Sequence, residues 1–396
     1  MPNVTFHIDA ERMPPDARLA ELSDDCIDLC TRVLQAEITN VHVIYVEVRH
    51  GCGHPVFAEI QYRDAPSRPP AVMNAFMEAL DHAIVRRTGL TARIRCFGHA
   101  APNLHARNQP LRRSTMSNVT FPGQRVGDFT ITAISDGYLT ASLDFLSNID
   151  ATDATGMQRA AGQQAPSAVH INCYVVRGAG RTVLVDAGAG GIKQWGGRLM
   201  DNLRLAGIEP AAIDTVLLTH AHPDHVGGLV HADGHVAFPN AELVAHRREV
   251  AFWRDDGNLS RASERARGNF RIARQVFDAY SDALRTFEEG EVLPGIAAIP
   301  LPGHTDGHTG YLLASGDQGL LVWGDIVHFP HIQIKRPDVS IAFDQDASQA
   351  ATTRSRLLDR VSSEGLLIAG MHLGEPGFAR IRRASGEYRL FYETDA

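Results

Sequence analysis

The sequence predicts a mixed α+β/α/β chain of two domains, a doubled βαβ unit followed by an αβ/βα sandwich. Three observations carry this. The chain has 396 residues, more than one typical domain holds. A stretch near residues 100–125, rich in Pro, Asn, Ser and Arg, has no apolar period and suits an exposed linker. The hydrophobic pattern reads βαβ twice before that stretch, and strands in pairs with intervening helices after it. The boundaries are therefore 1–105, a linker over 106–124, and 125–396.

In the first domain Val4, Phe6 and Ile8 alternate as in a strand, and Leu19, Leu22, Cys26, Leu29 and Val33 recur with helical spacing. NVHVIYVEV (40–48) and VFAEIQYR (56–63) are strands. Met73, Phe76, Leu80 and Ile84 mark a second helix stopped by Gly89, and ARIRCFG (92–98) closes the set. In the second domain FTITAISDG, HINCYVV, TVLVDAG and IDTVLLTH are strands, with an amphipathic helix over GGRLMDNLRLAGI. A long helix is expected over 261–286. Strands resume through GIAAIPLPGH, GYLLAS and GLLVWGD, and a helix around TTRSRLLDRVSSEG leads into the strand LLIAGMH.

Composition narrows the function classes. Hydrophobic residues make up 44% and charged residues 21%, as in a globular chain with a sizeable core. The net charge is −8 and only two of the 38 basic residues, Lys193 and Lys335, are lysines. A mildly acidic chain without a basic stripe argues against nucleic acid or an anionic membrane as the main partner. No stretch approaches the roughly 20 apolar residues that span a bilayer, and the N-terminus lacks a signal-peptide pattern. Five cysteines, Cys26, Cys30, Cys52, Cys96 and Cys173, form no CxxC pair and are expected as reduced thiols. The expected location is the cytoplasm.

The chemistry concentrates in Thr219-His220-Ala221-His222-Pro223-Asp224-His225-Val226-Gly227-Gly228. Three imidazoles and a carboxylate within six residues make a dense set of metal donors. After a strand, the turn can aim its first two histidines at one ion and the Asp-His pair at a second. The two glycines let backbone pack closely behind it. His304 in PGHTDGH, Asp325 in VWGDIVH and His372 in IAGMH each follow an apolar strand, where a site at a loop edge would collect them.

With these motifs in this order, residues from about 125 to 396 resemble the metallo-β-lactamase superfamily, which implies its αβ/βα sandwich. The resemblance implies that His220, His222 and His304 bind one metal, that Asp224, His225 and His372 bind the other, and that Asp325 bridges them. Asp186 in TVLVDAG matches the aspartate that orients a ligand histidine from behind, and His308 is expected as a hydrogen-bonding support. Two divalent ions roughly 3.5–4 Å apart share a water whose pKa drops toward about 7, and that hydroxide attacks a carbonyl or phosphoryl centre. Asp224 is the candidate for proton handling. Six N/O ligands and a bridge suit Zn2+, while Fe, Mn or Co fit the same donors. VGDFTITAISDGY, VDAGAGG, HPDHVGGL and AFPNAELVAHRREVAFW are similar to the methyl parathion hydrolase and lactonase-like branch, with Trp253 placed to line a substrate pocket.

Residues 2–98 resemble the tautomerase superfamily, of the 5-carboxymethyl-2-hydroxymuconate isomerase type, through Pro2, the doubled βαβ unit and TNVHVIYVEVRHG. The resemblance implies a homo-oligomer, a trimer through this domain, with Pro2 as a proton-shuttling amine and Arg12 or Arg49 holding a substrate carboxylate. The function expected is a binuclear hydrolase acting on a small lactone or ester, coupled to keto-enol tautomerisation. The alternative is a phosphotriesterase or arylesterase whose first domain only oligomerises.

Overall fold

The computed structural model describes residues 2–36, 40–49, 51–100, 121–384 and 386–393. The chain divides into two compact units, Met1–Ser114 and Thr115–Ala396. Of the expected linker 106–124, residues 106–120 lie outside the described residues, and Gly123 already begins a strand.

The first unit follows from its alternating pattern. Strand β1 (Asn3–Asp9) buries Val4, Phe6 and Ile8 on one face, as a period of two requires. Helix α1 (Asp16–Arg32) lays Leu22, Cys26 and Cys30 against them. Strands β2 (His42–Val48) and β3 (Val56–Arg63), helix α2 (Pro70–Thr88) and strand β4 (Ala92–His99) follow, with Gly89 closing α2 in the left-handed conformation. Strands β1 and β2 are parallel, as are β3 and β4, and β1 pairs antiparallel with β3. The sheet order is therefore β2-β1-β3-β4, two βαβ units joined edge to edge.

In the second unit two seven-stranded sheets each run through their strands in chain order. The first holds β5 (Gly123–Val126), β6 (Phe129–Thr140), β7 (Ala168–Gly178), β8 (Arg181–Val185), β9 (Thr215–Leu217), β10 (Glu242–His246) and β11 (Leu284–Phe287). The second holds β12 (Gly290–Leu293), β13 (Ile296–Pro300), β14 (Thr309–Ser315), β15 (Gln318–Val322), β16 (Leu367–Ala369), β17 (Phe378–Ala384) and β18 (Glu387–Tyr392). Val183, Val185, Leu217 and Val244 pack between the sheets against Leu313, Leu320, Val322 and Leu367. Helices α3 (Leu199–Leu205) and α4 (Glu264–Ala279) cover the outer face of the first sheet through Leu203, Phe270 and Phe277. Helix α5 (Ala347–Glu364) covers the second through Leu357, Leu358 and Val361. This is a four-layer αβ/βα sandwich.

One expected element needs correction. The long helix over 261–286 ends at Ala279, and Leu284–Phe287 is strand β11, paired parallel with β10. The Tyr280 hydroxyl sits between the Leu229 carbonyl and the Phe238 amide, which turns the chain out of the helix. Strands β17 and β18, an antiparallel hairpin at the sheet edge, had no counterpart in the sequence reading.

Candidate metal centre

Strand direction gathers the site. Strands β8 and β9 run parallel, so Asp186 and His220 leave the first sheet at the same edge. Strands β13, β15 and β16 run in one direction, because β14 pairs antiparallel with its neighbours and β15 pairs parallel with β16. His304, Asp325 and His372 follow those three strands. Behind the 220–228 turn, a Cβ on Gly228 would overlap the Ala187 carbonyl and one on Gly227 the Ala189 carbonyl.

His220, His222 and His304 form one cluster. Their ring nitrogens stand 3.0 Å (His220 Nε2 to His222 Nδ1), 2.9 Å (His222 Nδ1 to His304 Nε2) and 3.2 Å (His304 Nε2 to His220 Nε2) apart. Proton accounting makes this arrangement informative. Thr219 Oγ1 donates to Asp186, so its contact with His220 Nδ1 needs the ring to donate, which leaves Nε2 a bare lone pair. His304 Nδ1 faces Asp344 Oδ1 at 2.8 Å and donates, leaving its Nε2 bare as well. Two lone pairs 3.2 Å apart repel unless a cation lies between them. A tetrahedral ion bonded at about 2.0–2.1 Å spaces imidazole nitrogens by about 3.4 Å, close to what the chain provides. Burial first, and then the neighbouring imidazoles, push His220 and His222 well below the usual histidine range, so both rings are neutral donors.

Asp224, His225, Asp325 and His372 form the second cluster. His225 Nδ1 lies 2.7 Å from Asp186 Oδ2 and His372 Nδ1 2.7 Å from the His170 carbonyl, so both Nε2 atoms point inward. Asp325 Oδ2 is 3.1 Å from His225 Nε2 and 3.0 Å from His372 Nε2. The same oxygen is 3.8 Å from His220 Nε2 and 3.6 Å from His304 Nε2, which puts one carboxylate atom between the two clusters. Asp224 Oδ2 completes the second set at 3.5 Å from His372 Nε2. Burial opposes charge on His225 and His372, yet the facing carboxylates win. His225 is raised well above its ordinary range and His372 to about 10. Burial alone would raise Asp224 and Asp325, but the facing imidazoles hold both below the usual carboxylate range. The cluster is short of positive charge, and protons fill the deficit where a divalent cation would.

Several supporting residues hold these ligands in place. Asp186 sits at φ 55, in the left-handed region, a conformation held against its cost of roughly 1–3 kcal/mol. There its carboxylate accepts from Thr219 N, Thr219 Oγ1 and His225. Glu249 is fully buried and accepts from Ala221 N, Trp253 Nε1 and Thr305 Oγ1. His328 lies 3.3 Å from Asp325 Oδ2, and neither of its ring nitrogens has a hydrogen-bond partner. A histidine three residues after an aspartate is common in any chain, so its spacing carries no signal. His308 donates from Nδ1 to Leu301 O and accepts the Asp325 amide at Nε2, a support for the Asp325 loop as expected of it.

A cavity of about 780 Å3 opens onto the centre. Its walls include Trp253, Phe252, Phe270, Trp195 and Phe145, together with Asp224 and His328. Pro2 is buried, with its carbonyl accepting from His42 N, and Arg49 stands exposed beyond β2. Neither lines the first unit's cavity, which is walled by Tyr62, Arg68, Met73 and Cys96 among others.

Comparison with known proteins agrees with this geometry. Residues 167–372, which hold every candidate ligand, match the family model of the metallo-beta-lactamase superfamily. The uncharacterised protein YobT of Bacillus subtilis (strain 168) is 28% identical over 160 residues, covering 40% of this chain and 63% of that one. The crystal structure of the hydrolase AbOPH, in the beta lactamase superfamily, superposes with a TM-score of 0.66 at 29% identity, covering 70% of this chain and 98% of that one. AidC, a dizinc quorum-quenching lactonase solved with a product, N-hexanoyl-L-homoserine, gives a TM-score of 0.65 at 23% identity with the same coverage. The last likeness is one of fold.

Proposed function

The chain belongs to the metallo-β-lactamase superfamily, and from that premise we propose that it is a metal-dependent hydrolase with a two-ion centre that cleaves a lactone or ester. The observation that carries this reading is Asp325 Oδ2, within 3.0–3.8 Å of imidazoles from both clusters. His220, His222 and His304 would hold one ion, Asp224, His225 and His372 the other, and Asp325 would be shared. Bound divalent ions would supply Lewis acidity, lowering the pKa of water toward about 7 and polarising a carbonyl. The chain's residues supply the rest. Asp224, on the cavity wall and held as a carboxylate, can take and return a proton beside the reacting oxygen. Phe252, Trp253 and Phe270 exclude water and seat an apolar body. The product held by AidC supports the lactone reading for this fold.

Zinc-loaded protein assayed against lactones, aryl esters and phosphotriesters is expected to show its highest kcat/KM on a lactone or carboxylic ester, and to lose it on chelation. Two equivalents of metal with no turnover of any of the three would overturn the reading, and preference for a phosphotriester would replace it with the phosphotriesterase alternative.

The reading extends to the first unit. Its doubled βαβ topology and the proline at position 2 support a tautomerase-like partner that ketonises the enol acid released from an enol-lactone. Ring opening and ketonisation can be followed separately, and Pro2→Ala is expected to slow only the second. An unchanged second rate leaves this unit as an oligomerisation module.

A further inference from the structure

We propose that the substrate carries a carboxylate at the end remote from the cleaved bond, and that Lys193 receives it. This rests on the hydrolase reading of the same cavity. Apart from the ligand histidines, five side chains on the cavity wall carry full charges: Asp224, Asp325, Asp344, Lys193 and Arg261. The three carboxylates belong to the metal centre or hold its histidines. Away from the centre the wall is therefore apolar apart from neutral groups and two cations, in a chain whose net charge is −8. Among the described residues no carboxylate lies within ion-pairing distance of either cation. Lys193 Nζ rests 4.9 Å from the Trp195 ring centroid, and Arg261 donates to the neutral amide oxygen of Asn258. Two unneutralised cations over an aromatic wall form a receptor for an anion with an apolar body.

The backbone holds Lys193 in place for this. Lys193 and Gln194 adopt φ of 55 and 65, a conformation that costs an L-residue about 1–2 kcal/mol each. The cost is met by Asp136, whose buried carboxylate accepts the amides of Ala189, Gly197 and Leu199 and so clamps both ends of the loop. Glycine is required inside the clamp, because a Cβ on Gly188 or Gly196 would run into the Asp136 carboxyl. The clamped backbone spares the loop its own ordering cost when an anion arrives, leaving only that of the lysine side chain. An ammonium acts as a point charge without the fork geometry of a guanidinium, which suits a carboxylate at the end of a flexible chain. The substrate class is an ω-carboxy ester or lactone.

Calorimetric titration of the zinc-loaded full chain tests this without relying on turnover. The probes are α,ω-dicarboxylates of four to ten carbons and their monoamides, which offer no ester to cleave. At the length that spans from the centre to Lys193, the diacid is expected to bind about tenfold more tightly than its monoamide, the scale of one charge-assisted contact. Lys193→Met is expected to abolish that preference, Lys193→Arg to keep most of it, and Arg261→Met to reduce it. Equal affinities at every length, or a preference that survives both methionine variants, would overturn the proposal. A protein that prefers the diacid yet cleaves no ester would sink the hydrolase reading and leave this one standing.

Discussion

The Glu249 carboxylate joins three segments: the 220–222 turn through Ala221 N, the 304–305 loop through Thr305 Oγ1, and the cavity wall through Trp253 Nε1. Every partner is a donor, so Glu249→Gln turns one acceptor oxygen into an NH2 group facing donors. Supports of this kind typically hold 10–100-fold in metal affinity. Competition with a chelating dye is expected to show a loss of about that size for Glu249→Gln and for Asp344→Asn, which orients His304. Affinities within twofold of the parent would show these contacts to be incidental. The two clusters also differ in what they ask of pH. His220 and His222 are already neutral, whereas His225 and His372 hold protons that an ion must displace. Affinity at the second cluster should rise about tenfold per pH unit for each proton displaced. Dialysis from pH 8 to pH 6 followed by elemental analysis should find one ion lost before the other; parallel loss of both would contradict the assigned protonation. In metal-free protein the raised histidines stabilise the fold fully below about pH 6.5. That contribution fades as pH climbs through the His372 value of about 10. The seven ligand candidates were legible because donor types crowd one turn and recur after strands. Glu249, Asp344 and His328 were not, because a lone carboxylate or imidazole has no spacing to read until the loops close.

Helix α5 shows how an element distant in sequence fixes a ligand loop. Arg354, fully buried on its inner face, donates to the carbonyls of Ile326, Pro337 and Val339 and lies 3.8 Å from Asp344 Oδ2. It thus ties down the segment that runs from just after Asp325 to Asp344. Replacing it with Met would take the guanidinium from the Ile326 and Pro337 carbonyls, one of two donors from Val339 O, and the nearby positive charge from Asp344, at a cost of about 3 kcal/mol or more. Urea unfolding of Arg354→Met should show a loss of that order, with weaker metal binding; a change below about 1 kcal/mol would mean that the segment holds itself. At this scale the strands leading into the site were readable, since each is a short apolar run ending at a polar donor. The error at 261–286 has a physical origin. Phe277, Tyr280 and Leu284 continue a helical apolar spacing, yet Leu284 satisfies its burial as an edge strand beside Leu243, and periodicity alone cannot separate the two. Strands β17 and β18 were not legible because ARIRR and EYRLFY interleave arginine and glutamate with their apolar residues, the mark of an exposed edge.

At the scale of the whole chain, the break in apolar period near residue 100 already separated two cores, and the two compact units have separate hydrophobic clusters. Every candidate ligand lies in the second of them, so metal should stabilise one unit and not the other. An ion present at a thousand times its dissociation constant adds about 4 kcal/mol to the state that binds it. For a domain of this class each kcal/mol moves the melting temperature by about 2–4 °C. Calorimetric scans of the full chain are therefore expected to show two transitions, one of which falls by about 10 °C or more on chelation and recovers when zinc is restored, while the other stays within about 1 °C. The recovery matters, because it separates loss of a bound ion from irreversible damage to the protein. Two immobile transitions would show that the clustered imidazoles and carboxylates hold no ion that contributes to the fold, and a joint shift would show that the units unfold as one cooperative body.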